Sequence, residues 1–164
     1  MADRSKTPAI IAAAVLIAAP ITAAYEGLRT KPYRDPAGIP SVCYGDTQVS
    51  MRVYSADECG TLLRKRLAKD YAPKLAKCLP ELLDPKRAYM FAALLDAAYN
   101  TGPGAVCKSK IAAEARRGQL QRVCNDLASW YVTAKDRRSG AVKTLPGLVR
   151  RRATERALCL RGAS

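Results

Sequence analysis

A mostly α-helical domain with one small β-region is the fold class that three features of this 164-residue chain predict. Apolar residues recur at helical spacing through its middle and C-terminal parts. A near-continuous apolar run marks one helix as central, and turn formers crowd a single segment, residues 30–54. Hydrophobic residues make up 49% of the chain, enough burial to offset conformational entropy over a domain of this length.

Pro8 to Tyr25 carries no charge, and eight of these eighteen residues are Ala. Ile10, Ile11, Val15, Leu16, Ile17 and Ile21 supply about −2 to −4 kcal/mol towards membrane insertion, before Pro20 takes some back. The segment is long enough to span a bilayer yet weakly apolar, and the charged flank Asp3, Arg4 and Lys6 gives it the shape of an export signal. Cleavage after Ala24 would leave Glu26 on a frayed terminus, which favours a retained segment. Residues 1–24 are therefore read as an export and anchor helix, with its N-terminus inside, and 25–164 as the functional domain.

Asp35-Pro-Ala-Gly38 reads as a turn and Ser41-Val-Cys-Tyr44 as a short strand. Ser55-Ala-Asp-Glu58 is a capping box. Cys59, Leu63, Leu67 and Tyr71 follow at four-residue spacing, so an amphipathic helix runs to Pro73, which should kink or end it, with a break confirmed at Pro80. A buried helix begins near Pro85 and runs to Tyr99, Asn100 to Gly104 reads as a loop, and further helices are expected at 109–116, 119–133 and 147–160.

Glu26, Asp35 and Ser41 stand 9 and 6 residues apart just beyond the apolar segment. Two carboxylates and a hydroxyl on a turn-rich stretch are the parts needed to cut a glycosidic bond with a positioned water. The chain has no histidine, which excludes histidine triads, histidine zinc sites and histidine pH switches. Its net charge is +14, half of it from Tyr131 onward, where nine Lys or Arg face two Asp or Glu. That suits an anionic partner such as lipid headgroups or cell wall. Nucleic acid fits poorly, because one Trp and one Phe offer little stacking among the basic residues. Six cysteines without a Cys-x-x-Cys spacing point to three disulfides in an oxidising compartment, with fifteen pairings open. No metal or organic cofactor is expected.

In order and spacing, Glu26-Gly…Tyr33-x-Asp35, Gly38…Ser41…Gly45-x-Thr47, Ala97-Ala-Tyr-Asn-Thr-Gly102, Trp130 and Gly147-Leu-x-x-Arg-Arg…Glu155-Arg resemble the phage-type lysozymes, endolysins of glycoside hydrolase family 24. The Ala-rich start resembles the signal-arrest-release anchor of a subset of them. The resemblance implies a two-lobed fold joined by a long helix, and hydrolysis of the β-1,4 bond between N-acetylmuramic acid and N-acetylglucosamine with inversion. It places Glu26 as general acid, Asp35 as the carboxylate orienting water, Ser41 where Thr is usual, and Arg151 as partner of the glutamate, with Arg150 and Arg152 as alternatives. Asn100 would bind sugar or cap its helix. Asp46, where many members have His, reads as structural, and Tyr99 and Trp130 read as core. The implied disulfides are Cys43–Cys59, Cys78–Cys107 and Cys124–Cys159. The expected partners are peptidoglycan, the host export machinery and the inner membrane through residues 8–25. The protein would be a monomer, tethered on the periplasmic side of that membrane and then freed into the periplasm. The anchor holds no cysteine, so release would be conformational, the freed segment packing as a helix around Glu26. Competing functions are a lytic transglycosylase, which has no use for Asp35 and Ser41, a cationic membrane-disrupting protein without catalysis, and a wall-binding module with a decayed site.

Overall fold

A computed structural model describes residues 7–136 and 139–164; the charged flank Asp3–Lys6 lies outside them. Helix α1 (Thr7–Glu26) buries Ile10, Ala14, Val15, Ala18, Ala19 and Thr22, a single stripe at helical spacing. By length and composition α1 could cross a membrane; here its small alanines let it lie close along α4 (Ala88–Thr101), with a further contact to α2 (Ala56–Arg66). Its other face leaves Leu16 exposed. Gly27, at φ +74°, ends the helix, and its N–H closes on the Ala23 carbonyl at 3.1 Å. This C-terminal stop fixes Glu26 as the last helical residue.

Strands β1 (Arg29–Arg34) and β2 (Pro40–Cys43) pair antiparallel, with Tyr33 opposite Ser41 and an irregularity between Arg29 and Tyr33. Val42, Cys43, Tyr54 and Cys59 form the small core of this lobe. The capping box is present: Ser55 Oγ accepts from the Glu58 N–H and the Glu58 carboxylate accepts from the Ser55 N–H.

Helix α2 does not stop at Pro73. It passes through a π-helical turn (Leu67–Tyr71), where the Ala72 N–H reaches the Leu67 carbonyl, and continues as α3 (Ala72–Cys78). Proline lacks a donor and crowds the carbonyl four residues back, and one widened turn just before it absorbs both effects. The result is a long connecting helix that ends before Pro80.

Helix α4 is the centre of the second lobe, buried without interruption from Met90 to Ala98 and flanked by α1 and α8 (Pro146–Leu160). Each of its Leu and Phe side chains gains about 1.5–3 kcal/mol by burial. Short helices α5 (Pro103–Cys107), α6 (Lys110–Arg116) and α7 (Leu120–Leu127) complete it. Two expectations are corrected. The loop expected at 100–104 is a one-residue break at Gly102 between two helices. The helix expected at 119–133 ends at Leu127, and β3 (Thr133–Lys135) pairs with β4 (Val142–Thr144) in a second hairpin. The β-branched run Val132-Thr133 and a left-handed Tyr131, φ 57°, explain the switch.

Disulfides Cys43–Cys59, Cys78–Cys107 and Cys124–Cys159 tie β2 to α2, α3 to α5, and α7 to α8. Gly162 sits where α8's tail crosses α4: a Cβ there would lie 2.8 Å from the Met90 backbone nitrogen.

Candidate active site

Asp96 is the one charged residue inside the buried face of α4, and it has no solvent exposure. An isolated carboxylate there would be prohibitively costly, so it must be paired. Arg151, from α8, supplies the partner: its Nε donates to Asp96 Oδ2 at 2.9 Å and its Nη2 to Oδ1 at 2.8 Å. The third arm, Nη1, donates to Glu26 Oε1 at 2.7 Å. Burial alone would lower the Arg151 guanidinium, but hydrogen bonds and charge from Asp96 and Glu26 outweigh it and hold it above its ordinary value. The Nη1 bond gives Glu26 a directional N–H. Thr22 Oγ1 donates to Asp96 Oδ1 at 2.6 Å and closes the network back onto α1.

Arg152 is turned the other way. Its Nη1 donates to both oxygens of Glu155, its Nη2 to Asn100 Oδ1 at 2.6 Å and its Nε to the Trp130 carbonyl at 2.9 Å. Burial, reinforced by the nearby Asp96, pushes Glu155 up to about 9. Arg150 offers only its carbonyl, which accepts from the Tyr25 hydroxyl at 3.0 Å.

Glu26, a quarter exposed at its side chain, borders a cavity of about 240 Å³ with Tyr44, Asp46, Arg66, Tyr71, Tyr99 and Asn100. A neighbouring cavity of about 200 Å³, sharing Gln48, Arg66 and Tyr71, extends the groove past Lys74 towards Pro103. Tyr71 and Tyr99 pack with ring centroids 5.0 Å apart. Burial raises the Tyr99 phenol, which stays protonated and donates to the Tyr44 carbonyl at 2.9 Å, linking the lobes. Arg66 holds Asp70 at 2.6 Å and Asp46 at 3.2 Å, and Asp46 Oδ1 accepts from the Gln48 N–H at 2.8 Å, so Asp46 pins the loop lining the cavity.

Asp35 and Ser41 lie on the β1–β2 hairpin, outside the residues that line these two cavities. Asp35 Oδ1 accepts from the Ala37 and Ile39 N–H groups at 2.8 and 2.9 Å, an arrangement that fixes the carboxylate and leaves Oδ2 outside both bonds. Ser41 is buried and donates to the Ile39 carbonyl at 3.2 Å. Among the described residues no hydrogen bond joins either of them to Glu26. The structure thus brings Glu26, Arg151 and Asn100 into one connected cluster and sets Asp35 and Ser41 on the opposing hairpin.

Asp96 and Thr22 are site residues that reading the sequence missed, as it missed the pairing of Arg152 with Glu155. Asp96 did carry a signal, as a lone acid in an apolar helix; Thr22 was similarly the polar exception in an apolar segment.

Comparison with known proteins agrees with this architecture. The chain is 33% identical over 161 residues to a SAR-endolysin of bacteriophage PS119, covering 94% of this chain and 88% of that one. The muramidase domain of SpmX from Asticaccaulis excentricus superposes with a TM-score of 0.76 at 22% identity, covering 98% and 97% of the two chains. The active form of the P1 phage endolysin Lyz superposes with a TM-score of 0.72 at 24% identity, covering 92% and 85%. The sequence model of the phage lysozyme family matches residues 23–155, and the chain belongs to that family.

Proposed function

We propose that this protein is a phage endolysin, a muramidase that hydrolyses the β-1,4 bond between N-acetylmuramic acid and N-acetylglucosamine in bacterial peptidoglycan. The observation that carries this reading is Glu26, fixed at the end of α1 by the Arg151–Asp96 pair and facing the interlobe groove. Glu26 gives its proton to the glycosidic oxygen as the bond breaks. Water attacks the anomeric carbon from the other face and loses a proton to Asp35, whose second oxygen is outside the backbone bonds that hold it. The Ser41 hydroxyl helps to place that water, Asn100 binds sugar in the groove, and attack opposite the leaving group inverts the anomeric centre.

On this reading α1 is first a membrane anchor, exported uncleaved through the host machinery and held in the inner membrane by residues 8–25. It later leaves the bilayer and packs onto α4, and the enzyme acts in the periplasm as a monomer. Support comes from α1's length and apolar character together with its buried alanine stripe.

The test is digestion of purified peptidoglycan by the released protein and by Glu26→Gln, with products identified by mass. Hydrated reducing ends that fall at least about 100-fold in the variant are expected. Anhydro ends would establish a transglycosylase instead. Bacterial killing that survives Glu26→Gln without digestion would establish membrane disruption.

A further inference from the structure

We infer that Thr22 is a positioning residue for the catalytic acid, operating only while α1 is docked; the inference rests on Glu26 being that acid. Thr22 is fully buried, the polar member of α1's core-facing stripe. Its hydroxyl has a single proton and two acceptors in reach. One is the Ala18 carbonyl of its own helix, at 3.1 Å. The other is Asp96 Oδ1, at 2.6 Å and paired with the Arg151 guanidinium, which is the stronger partner.

The bond is the first link of a ring. Asp96 grips the planar Arg151 guanidinium through two arms, and that plane sets the direction in which Nη1 points at Glu26 Oε1. Thr22 and Glu26 lie four residues apart on one helix, so the ring begins and ends on α1. A carboxylate held by Arg151 alone can rock about the shared axis. The Thr22 bond, arriving from the α1 side, removes that freedom and carries the helix's position into the orientation of the acid.

The two acceptors also resolve a conflict in the anchor. In a bilayer Asp96 is out of reach, and the Ala18 carbonyl satisfies the hydroxyl within the helix. Docking redirects the same proton to Asp96 without breaking the backbone ladder. Thr22 therefore costs the membrane-inserted helix little and still reports that α1 has arrived.

The test uses the full released chain, a soluble glycan-chain substrate, and the variants Thr22→Val, Thr22→Ser and Glu26→Gln, with kcat, KM and thermal unfolding measured for each. Val keeps the volume and removes the hydroxyl; Ser keeps the hydroxyl. The expected result is a kcat for Thr22→Val lower by about 3- to 10-fold, the equivalent of one ordinary hydrogen bond. KM should stay within about twofold and Thr22→Ser should restore kcat, since a group that only orders the acid leaves ground-state binding alone. A wild-type kcat in Thr22→Val, whatever its Tm, overturns the inference, as does a Thr22→Ser variant that falls as far as Thr22→Val. If Glu26→Gln keeps its activity, the assignment of Glu26 fails and this inference with it. If Glu26→Gln is inactive and Thr22→Val is normal, this inference alone fails.

Discussion

Replacing Asp96 with Ala puts the buried network under its sharpest strain. Arg151 is 3% exposed at its side chain and would lose the two short hydrogen bonds that hold it, at 2.8 and 2.9 Å. Breaking a buried ion pair by removing one partner costs about 3–5 kcal/mol, because a charge stays behind. Two groups here soften the loss: Glu26, already at 2.7 Å, and Glu155, at 3.5 Å, which would shed its proton and take up the arginine's charge. The expected cost therefore lies at the lower end, about 3 kcal/mol, and should lower Tm by roughly 6–12 °C for a chain of this size. Asp96→Asn keeps the volume and one acceptor oxygen and should lose about 1–2 kcal/mol. Thermal and denaturant unfolding with the disulfides intact measures both variants. An Asp96→Ala variant within about 1 kcal/mol of wild type would refute the view that this pair is what makes the buried charge tolerable.

Glu155 predicts a pH dependence of stability. It holds its proton up to about 9 in the folded chain against an ordinary 4.5 unfolded, so folding takes up a proton between those values. Stability should be fully present below pH 4.5 and fall as pH rises towards 9, by up to about 1.4 kcal/mol per pH unit from this group. Glu155→Gln should flatten that slope in unfolding titrations across the window, and an unchanged slope would rule the group out. The pair Cys124→Ser and Cys159→Ser opens a loop of sequence separation 35 and should lose about 4 kcal/mol by the loop-entropy relation. Denaturant midpoints decide that, and a loss under about 1 kcal/mol would mean that packing of α7 on α8 constrains the unfolded chain already.

Much of the fold was legible in the sequence because its cues are local. The capping box at Ser55 and the four-residue spacing from Cys59 to Tyr71 act within one helix, and so does the apolar run of α4. The π turn before Pro73 was not legible, since proline announces a missing donor but not whether the chain breaks or widens. The β3–β4 hairpin was hidden because α7's apolar periodicity runs into it without a Gly or Pro to mark the end. In the candidate site, Glu26 and its contact with Arg151 could be named from spacing and resemblance, while Asp35 and Ser41, expected beside them, lie on the hairpin outside the cavity lining. What Thr22 and Asp96 do could not be named, because their partnership spans 74 residues and exists only when α1 and α4 are side by side.

The placement of the disulfides has a mechanical consequence. All three bridges begin at Cys43 or later, so the 36 residues from Thr7 to Val42 belong to no closed loop. A pull on the N-terminal side meets its first covalent stop at Cys43, whose bridge passes the tension straight to Cys59 and the long helix, bypassing the segment between them. Up to that stop, α1 and its hairpin can pay out roughly 120–130 Å of slack chain while every cross-link behind them stays shut.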